Sequence, residues 1–379
     1  MNKIHDCIIV GAGPAGGTAA YHLAKNGRDV LILEKEKLPR YKPCGGGVSP
    51  EIGNWFDFDF SPVISVKIKS FQYTWRMKDP IEIELEKPIW MVMREQFDYF
   101  LIKKSLEQGA NLQENTKVTG VSFTKNSWLI TTNNGDYQSR YIIAADGSKG
   151  QTAKLIGFKD RKRLLGGAIE AETKTFTDHK SIANFEFGMI KNGYLWNFPK
   201  ADGCSFGIGI FRGTAHEDIK AILASYASIL KIDMSTANQY GHPLYIWDGN
   251  QNLHSENEKA LLTGESACLV DPLTAEGIRP SIYSGLKASE AINQAISGDT
   301  NAIKNYTETI KKELGKDMKW AEILAWLLYS HPQFCYRNFL KNPSISKTMG
   351  KIFCGEMHYR DLPGKLLSHF GKILIGIKP

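Results

Sequence analysis

The chain has 379 residues, 42% hydrophobic and 23% charged, which is enough for a substantial core and excludes global disorder. Six scattered cysteines show no C-x-x-C pair and no zinc-ligand spacing, so we predict no metal site and reduced thiols in a cytoplasmic protein. The net charge is +7, of which residues 331–379 carry +6, but no RNA-binding signature or zinc finger accompanies this excess. We therefore expect no nucleic-acid partner and, without a run of 18 apolar residues, no transmembrane helix.

Residues 6–34 have the order of a strand–helix–strand unit that binds a dinucleotide. An apolar strand ends in G-x-G-x-x-G, formed by Gly11, Gly13 and Gly16, and a helix then leads to a second strand. In such a unit Gly11 permits the tight turn, Gly13 leaves room for a pyrophosphate, and Gly16 allows close helix–strand packing. The helix N-terminus offers N–H groups to phosphate, and Glu34 at the end of the second strand is placed to accept hydrogen bonds from a ribose. A purely structural role for the three glycines is the alternative.

The next stretch, residues 35–50, is a predicted loop in which Cys44 precedes three consecutive glycines, Gly45–Gly47. These glycines indicate a backbone that lies close against something flat or bulky, and a flexible loop is the alternative. Three strands are predicted within 63–93, and an amphipathic helix begins near Arg94. The apolar stripe of that helix comprises Phe97, Phe100, Leu101 and Leu106.

Predicted strands dominate the middle of the chain. They comprise 118–123, 128–132, 137–144, 166–172 and 182–187. The third of these runs directly into Asp146-Gly147, which in isolation would be only a turn. In the strand that follows, Tyr194, Trp196 and Phe198 alternate, so three large rings share one face. They form either a wall of an apolar pocket or the inner face of an ordinary core.

The last part of the chain is predicted to be largely helical. A short helix around 216–230 precedes a polar loop that runs to residue 257, and a strand follows at 260–263. That strand leads through a glycine-rich loop into a long helix, which makes a second candidate turn for contacting a cofactor. Residues 301–330 are predicted to be helical, with an apolar face of Trp320, Ile323, Leu324, Leu327 and Leu328.

These motifs, in this order, resemble the flavoprotein superfamily of p-hydroxybenzoate hydroxylase. Three stretches are similar, more narrowly, to the geranylgeranyl reductase family: KPCGGG (42–47), GYLWNFP (193–199) and GESACLVDPLTAEGI (264–278). The resemblance covers residue 1 to about residue 300. The chain departs from the usual family pattern at Glu265, where Asp is common, at Ala275, where Gly is common, and at Lys191, where Pro is frequent.

The resemblance implies a mixed α/β (α+β) fold with a Rossmann-like FAD-binding domain interrupted by a second domain. The FAD domain would comprise 1–60, 91–165 and 251–330. An antiparallel sheet from 61–90 and 166–250 would cover the substrate pocket, and 331–379 would form a basic helical C-terminal region.

The resemblance also implies one non-covalently bound FAD. The residues it places at the cofactor are Gly11, Gly13, Ala15, Gly16, Glu34, Lys35, Cys44, Gly45, Gly47, Arg94, Val118, Asp146, Gly147, Glu265, Gly277 and Ile278. Arg94 would approach the ribityl or phosphate groups, with a solvated helix-start residue as the alternative. Cys44 would donate a proton beside the flavin or merely pack there, and with Tyr194 and Trp196 it completes the predicted catalytic set.

The activity implied by the resemblance is reduction of carbon–carbon double bonds in a prenyl (isoprenoid) substrate. Because only one dinucleotide-binding unit is visible, the electron donor, NADPH, NADH or ferredoxin, would visit transiently. A flavin monooxygenase or halogenase on the same scaffold is the principal alternative, and a non-enzymatic FAD-binding protein is a third reading. Only part of the halogenase W-x-W-x-I-P stretch is present, as Trp196-Asn197-Phe198-Pro199.

The C-terminal tail has the composition of a segment that lies at a membrane surface. On a helix over 364–377, Leu366, Phe370, Ile373 and Ile377 share a face, and Lys365 and Lys372 lie off it. Basic residues near an anionic surface each add about 1 kcal/mol of attraction. We therefore expect peripheral membrane association, and the alternative is that these apolar residues cap the FAD domain.

Overall fold

The structure, a computed structural model, describes residues 3–158, 164–174, 181–212, 217–249 and 251–362. The strands in these residues are β1 (Ile4–Val10), β2 (Val30–Leu33), β3 (Gly47–Val48), β4 (Val66–Trp75), β5 (Lys78–Met91), β6 (Asn111–Gln113), β7 (Val118–Thr124), β8 (Ser127–Thr132), β9 (Gly135–Ala144), β10 (Leu164–Thr173), β11 (Ile182–Phe187), β12 (Gly193–Lys200), β13 (Gly203–Ile210), β14 (Asn238–Ile246) and β15 (Ala260–Leu262). The helices are α1 (Pro14–Lys25), α2 (Arg94–Glu107), α3 (Thr152–Ile156), α4 (Ile219–Ile229), α5 (Ile278–Ile296), α6 (Ala302–Ile310), α7 (Lys316–Ser330), α8 (Pro332–Cys335) and α9 (Pro343–Phe353).

The first sheet has the strand order β6-β2-β1-β9-β8-β7, and β15 pairs with the end of β9. Strands β6, β2, β1, β9 and β15 are parallel, whereas β7, β8 and β9 form an antiparallel meander. The buried apolar ends of β1 and β2 are typical of parallel strands that are covered on both faces. The parallel strands deliver Gly11, Glu34, Ala145 and Thr263 to one edge of the sheet, which is where open α/β sheets bind ligands.

Helices α1 and α5 cover one face of this sheet and pack closely on each other. A Cβ atom on Gly285 of α5 would lie 2.3 Å from the carbonyl oxygen of Ala15 on α1. Glycine at this position therefore sets how closely the two helices approach, and it holds the N-terminus of α1 against α5.

The second sheet has the strand order β14-β10-β13-β12-β11-β4-β5-β3 and is antiparallel except for the β11–β4 pair. Because side chains alternate along each strand, β12 places Leu195 on one face and Tyr194 and Trp196 on the other. The first face packs against α4, and the aromatic face packs against the C-terminal helices through residues such as Tyr336 and Ile352.

The structure confirms the predicted mixed α/β fold and its strand–helix–strand unit, meander and aromatic strand. Two predictions about strands are wrong. The predicted polar loop through 257 contains β14, a nine-residue strand with Gly241 and Pro243 that pairs with β10. Its composition is poor for a strand, but it lies at the sheet edge, where a missing N–H is tolerated. The last two strands predicted within 63–93 are also one strand, β5.

Two predictions about helix faces are wrong in part. Leu106 of α2 is exposed, while Ser105 beside it is buried. On α7 the predicted apolar face is only partly correct. Trp320 and Ile323 are exposed, Leu324, Leu327 and Leu328 are half-buried against the core, and the fully buried residues are Met318, Ala321, Ala325 and Tyr329. The two alanines allow a closer approach to the second sheet than the larger side chains would.

The described part of the basic C-terminal region contains α8 and α9. Helix α9 packs on the second sheet, and α8 packs against α7. Among the described residues no helix combines the length and the apolar character needed to cross a bilayer. The predicted interfacial helix at 364–377 lies outside the described residues. The division into an FAD domain and a substrate domain stays a prediction.

Candidate active site

One cavity of about 790 Å³ is lined by residues from both sheets. Its polar end is formed by the carboxyl edge of the first sheet and includes Gly11, Gly13 and Glu34. Its apolar end is formed by the aromatic face of the second sheet and includes Phe185 and Trp196. The two ends are continuous, so a polar ligand on the first sheet can lie next to an apolar ligand on the second.

The glycine motif shapes the polar end in the way that its spacing predicts. Gly11 has φ +106°, and a Cβ atom there would lie 2.4 Å from the carbonyl oxygen of Ala145. A Cβ atom on Gly16 would lie 1.9 Å from the carbonyl oxygen of Gly11, so Gly16 serves helix–strand packing and does not itself line the cavity. Around Gly13, by contrast, the nearest atom is Nη2 of Arg40 at 3.8 Å, which leaves open space beside the N-terminus of α1.

Glu34 is only 3% exposed and organises this end of the cavity. Its Oε2 accepts a hydrogen bond from the backbone N–H of Ala12 at 2.8 Å, and its Oε1 accepts one from that of Glu36 at 3.1 Å. Arg40 Nε lies 3.6 Å from Oε2. The carboxylate is thus fixed at the carboxyl end of β2 with part of its acceptor capacity left for a ligand hydroxyl.

Arg94 and Asp98 form a buried ion pair that lies between this end and the middle of the cavity. Arg94 donates through Nε and Nη2 to the two carboxylate oxygens of Asp98, both at 2.8 Å, and Arg40 Nη1 lies 3.3 Å from Asp98. Burial opposes the charged form of Arg94, but the adjacent carboxylate more than offsets it, so the pKa of Arg94 is raised. Two guanidinium groups thereby reach the cavity wall in fixed positions, suited to the phosphates of a dinucleotide.

The loops after β9 and β15 are tied to each other. Asp146 accepts hydrogen bonds from Ser266 Oγ and from the backbone N–H of Thr152, both at 2.9 Å, and the Gly147 N–H donates to Ser266. The Asp146 side chain therefore organises the loops, and its backbone and that of Gly147 line the cavity. The sequence predicted that Asp146 lies at the cofactor, but it did not predict the hydrogen bonds that Asp146 accepts from Ser266 and Thr152.

Glu265 connects three elements across the cavity. Its Oε1 lies 3.1 Å from His242 Nε2 on β14, and its Oε2 lies 3.5 Å from Lys42 Nζ. Burial favours the neutral form of Glu265, but His242 and Lys42 outweigh burial and lower its pKa to about 2. The extra methylene relative to the usual Asp is accommodated because these two partners hold the carboxylate.

The Cys44 loop is clamped by residues from the second sheet. The Cys44 N–H donates to Glu170 Oε1 at 2.9 Å, and Lys200 Nζ donates to the carbonyl oxygens of Cys44 and Val92 at 3.3 and 3.1 Å. Gly46 has φ +80°, and a Cβ atom there would lie 2.4 Å from the backbone carbonyl oxygen of Val92. The protein's own backbone therefore requires a glycine here, independently of any ligand.

The apolar end is a continuous set of aromatic rings. The ring centroid of Phe185 lies 5.6 Å from that of Tyr194 and 5.1 Å from that of Phe198. The ring centroids of Tyr194 and Trp196 are 6.4 Å apart. The polar atoms of two rings are paired, since Tyr194 Oη donates to the carbonyl oxygen of Thr274 at 2.7 Å and Trp196 Nε1 donates to Ser205 Oγ at 3.3 Å. The wall therefore presents apolar surface to the cavity.

The structure brings the predicted site residues together around this cavity, apart from Gly16. Those that line it are Gly11, Gly13, Ala15, Glu34, Lys35, Cys44, Gly45, Gly47, Arg94, Val118, Asp146, Gly147, Tyr194, Trp196, Glu265, Gly277 and Ile278. Sequence reasoning missed Arg40, Glu170, His242 and Phe353, which line it too. Glu170 is an inward-facing acid on a predicted strand, which is a signal that could have found it; His242 and Phe353 lie in segments that were assigned no site.

FAD fits these features. No side chain caps the N-terminus of α1, beside the open space at Gly13, or the N-terminus of α5 at Gly277. Both termini open into the cavity, where their backbone N–H groups are suited to phosphate and to electronegative ring atoms. Glu34 stands at the ribose position of a dinucleotide-binding unit, and the 790 Å³ cavity continues beyond it toward the aromatic wall.

Comparisons with known proteins agree with this geometry. Residues 9–76 match the family model of the NAD(P)-binding Rossmann-like domain. An uncharacterised protein of Methanosarcina barkeri is 30% identical, over 87% of this chain and 85% of its own length. The digeranylgeranylglycerophospholipid reductase of Methanococcus vannielii is 28% identical, over 85% of this chain and 83% of its own.

A geranylgeranyl bacteriochlorophyll reductase-like protein of Thermoplasma acidophilum has the same fold, with a TM-score of 0.79. It is 20% identical, and the superposition covers 98% of this chain and 96% of that one. The fold and the cavity thus define an FAD-dependent oxidoreductase with a Rossmann-like cofactor-binding unit. The chain belongs to the geranylgeranyl reductase family of these flavoproteins.

Replacement of Glu34 by Ala is expected to weaken FAD binding, because each charge-assisted hydrogen bond to the ribose is worth roughly 1.5–3 kcal/mol. The measurement is the FAD-to-protein ratio after dialysis. Asp136→Ala, which changes an exposed acid in the β8–β9 hairpin, is the control and should keep its flavin. A full flavin complement in the Glu34 variant would show that this carboxylate does not hold the ribose.

Proposed function

We propose that this enzyme reduces carbon–carbon double bonds of a prenyl lipid of the geranylgeranyl type. The observation that carries the proposal is the junction, within one cavity, of a dinucleotide-binding end and an aromatic end. The relatives named digeranylgeranylglycerophospholipid reductases support it, since their names describe a prenyl lipid substrate. When bound, reduced FAD supplies hydride for such a reduction.

Selection of the substrate would rest on apolar contact. An isolated alkene has no polar handle, so binding comes from burial of its carbon skeleton, at about 0.8 kcal/mol per methylene. Tyr194 and Trp196 contribute apolar surface with their polar atoms already paired, and Phe353 of α9 adds to the same wall. We assign Tyr194 and Trp196 to substrate orientation and Cys44 to the junction of the two ends.

The cofactor would be held by groups from four loops. Gly13 and the N-terminus of α1 would hold the pyrophosphate, Glu34 the ribose, and Arg94 the phosphate or ribityl region. Glu265, Gly277 and Ile278 would approach the ribityl chain and ring from the opposite side of the cavity. NAD(P)H or ferredoxin would supply electrons in transient encounters.

The test of the proposed function is anaerobic reoxidation of the reduced holoenzyme. Without oxygen, a geranylgeranyl lipid should restore the oxidised flavin spectrum, and mass spectrometry should show the lipid two mass units heavier per reduced bond. A monooxygenase or halogenase would leave the flavin reduced until oxygen is admitted, and that result would overturn the proposal. Mass spectrometry of a lipid extracted with the protein would identify the natural substrate.

Trp196→Ala is expected to change substrate preference more than it changes FAD binding. The smaller side chain enlarges the apolar end, so reduction of short prenyl chains should fall more than reduction of long ones. Phe187→Ala is the matched control, because Phe187 is a buried ring of the same cluster that does not line the cavity. Both variants should lose stability, by about 3–5 kcal/mol for a buried aromatic ring. If the Trp196 variant kept the parent's preference among short and long prenyl chains, the Trp196 ring would serve only for packing.

A further inference from the structure

Glu170 is a buried carboxyl group that the roles assigned so far leave without a purpose. It lies on β10, is 5% exposed, and lines the cavity. Its Oε1 accepts the N–H of Cys44, which places it at the junction of the two ends. Its neighbour on β13 is Gly207, which has no side chain, so the carboxyl group is not covered from that strand.

A chain of ionisable groups connects Glu170 with the protein surface. Glu172 lies two residues further along β10, on the same face, and its carboxyl group raises the pKa of Glu170. Glu172 and Glu170 also raise the pKa of Tyr41, so the three groups lie near one another. Tyr41 is 39% exposed, and its ring packs at a tilt against that of Tyr240 of β14, with the centroids 4.5 Å apart. Tyr41 is therefore the most exposed of the three groups, Glu172 is half-buried, and Glu170 is buried.

The charges around Glu170 favour a proton on this pair. Burial raises the pKa of Glu170 and Lys200 of β12 lowers it, while the Glu172 carboxyl raises it further, to about 7. The other groups that face this position are the Cys44 N–H, which stabilises the carboxylate, and Tyr240 and His242 of β14. Two neighbouring acidic groups hold one proton more readily than they hold two negative charges.

We propose that Glu170 is the proton donor of this active site, and that Glu172 and Tyr41 carry protons to it from solvent. The inference deepens the proposed function and rests on it for the identity of the proton acceptor. It gives the site the acid that double-bond reduction needs, which the paired Tyr194 and Trp196 do not supply, and it assigns to Glu170 the proton donation that the sequence analysis considered for Cys44.

The step balances with one proton. Reduction of a carbon–carbon double bond adds a hydride, with its two electrons, to one carbon and a proton to the other, and the π bond is replaced by two C–H bonds. The carbon skeleton gains the proton from Glu170, which becomes a carboxylate. Glu172 returns a proton to Glu170, and Glu172 is refilled from solvent through the Tyr41 hydroxyl group.

Two measurements on the oxidised, substrate-free holoenzyme test the acid itself. Infrared difference spectroscopy across a pH titration should show a protonated carboxyl band that is lost around pH 7 and is missing in Glu170→Gln. The amide of this variant can still accept the Cys44 N–H, so the loop stays in place. Glu172→Gln should move the titration to lower pH, because it removes the neighbouring acid that raises the pKa of Glu170.

The kinetic measurement is the rate of flavin reoxidation by the prenyl substrate without oxygen. Glu170→Gln is expected to lower it by roughly 10²-fold or more, which is the usual contribution of a general acid. Glu186→Gln is the matched control, because Glu186 is a buried acid of β11 outside the cavity lining whose pKa is also raised by burial. It should leave both the infrared band assigned to Glu170 and the reoxidation rate unchanged.

A band with the same midpoint in Glu170→Gln and in the parent enzyme would overturn the assignment, and so would an unchanged reoxidation rate. Failure of the proposed function looks different. In that case the parent enzyme reduces no prenyl substrate, while the substrate-free titration still reports on Glu170.

Discussion

Asp98→Ala is expected to lower the free energy of unfolding by about 3–5 kcal/mol, because it leaves the buried Arg94 guanidinium without its partner. Asp98 is 1% and Arg94 7% exposed, and the pair is bidentate with both contacts at 2.8 Å. Arg40, which also reaches Asp98, would lose one of its two acidic neighbours. FAD binding should weaken in parallel, because both arginines line the cavity.

Urea unfolding of the FAD-free protein would isolate the stability effect, and flavin titration would then report on binding. The control is Glu95→Ala, an exposed acid in the first turn of the same helix, with an expected change within about 0.5 kcal/mol. The double replacement Arg94→Met and Asp98→Leu should recover most of the stability and none of the FAD binding. Equal unfolding curves for Asp98→Ala and the parent would contradict a buried, charged pair.

Glu265→Gln is expected to cost about 3 kcal/mol at pH 7, since the pKa of Glu265 falls from 4.5 to about 2 on folding. Burial alone would raise this pKa, so the lowering measures how strongly His242 and Lys42 hold the carboxylate. Because the folded-state pKa is depressed, the contribution is complete above about pH 4.5 and is lost as the pH falls toward 2. The two proteins should therefore converge in stability through that pH range.

The measurement is urea unfolding of the FAD-free proteins at pH 7, 5 and 3.5. Glu256→Gln, an exposed acid in the segment before β15, is the control and should match the parent at each pH. A stability difference between Glu265→Gln and the parent that stays constant down to pH 3.5 would mean that charge is not what Glu265 contributes. The free energy of unfolding of Glu265→Asp should lie between those of Glu265→Gln and the parent, because the shorter side chain cannot reach both His242 and Lys42.

Local sequence determined the polar end of the cavity. The strand, the spaced glycines, the helix and Glu34 are neighbours along the chain, so their order alone places them at the carboxyl end of a parallel sheet. Gly16 is required by a contact within this unit, with the carbonyl oxygen of Gly11, whereas the contact that requires Gly11 is with Ala145, far along the chain. The alternation of Tyr194, Trp196 and Phe198 likewise determined which face of β12 carries the rings.

The partners of those residues were decided only by tertiary structure. Asp98 lies one helical turn after Arg94 and was within reach of sequence reasoning, but Arg40 joins the same cluster from a distant loop. His242 lies on β14, an edge strand that the sequence does not predict because it contains Gly and Pro. His242 contacts Glu265 only because β14 pairs with β10. Such contacts depend on sheet register, which no local pattern in those segments specifies.

The buried face of α7 and the position of Glu170 show the same division. Periodicity identified α7 as a helix, but its buried face was decided by Ala321 and Ala325, which permit close packing on the second sheet. The sequence placed Glu170 within a predicted strand but gave it no role, because its buried setting depends on Gly207, Lys200 and the Cys44 loop meeting around it. The sequence by itself determined which residue types and local elements form the site. The tertiary structure decided which of them share a cavity and which are buried beside a charge, because burial and charge depend on neighbours that are far apart in the chain.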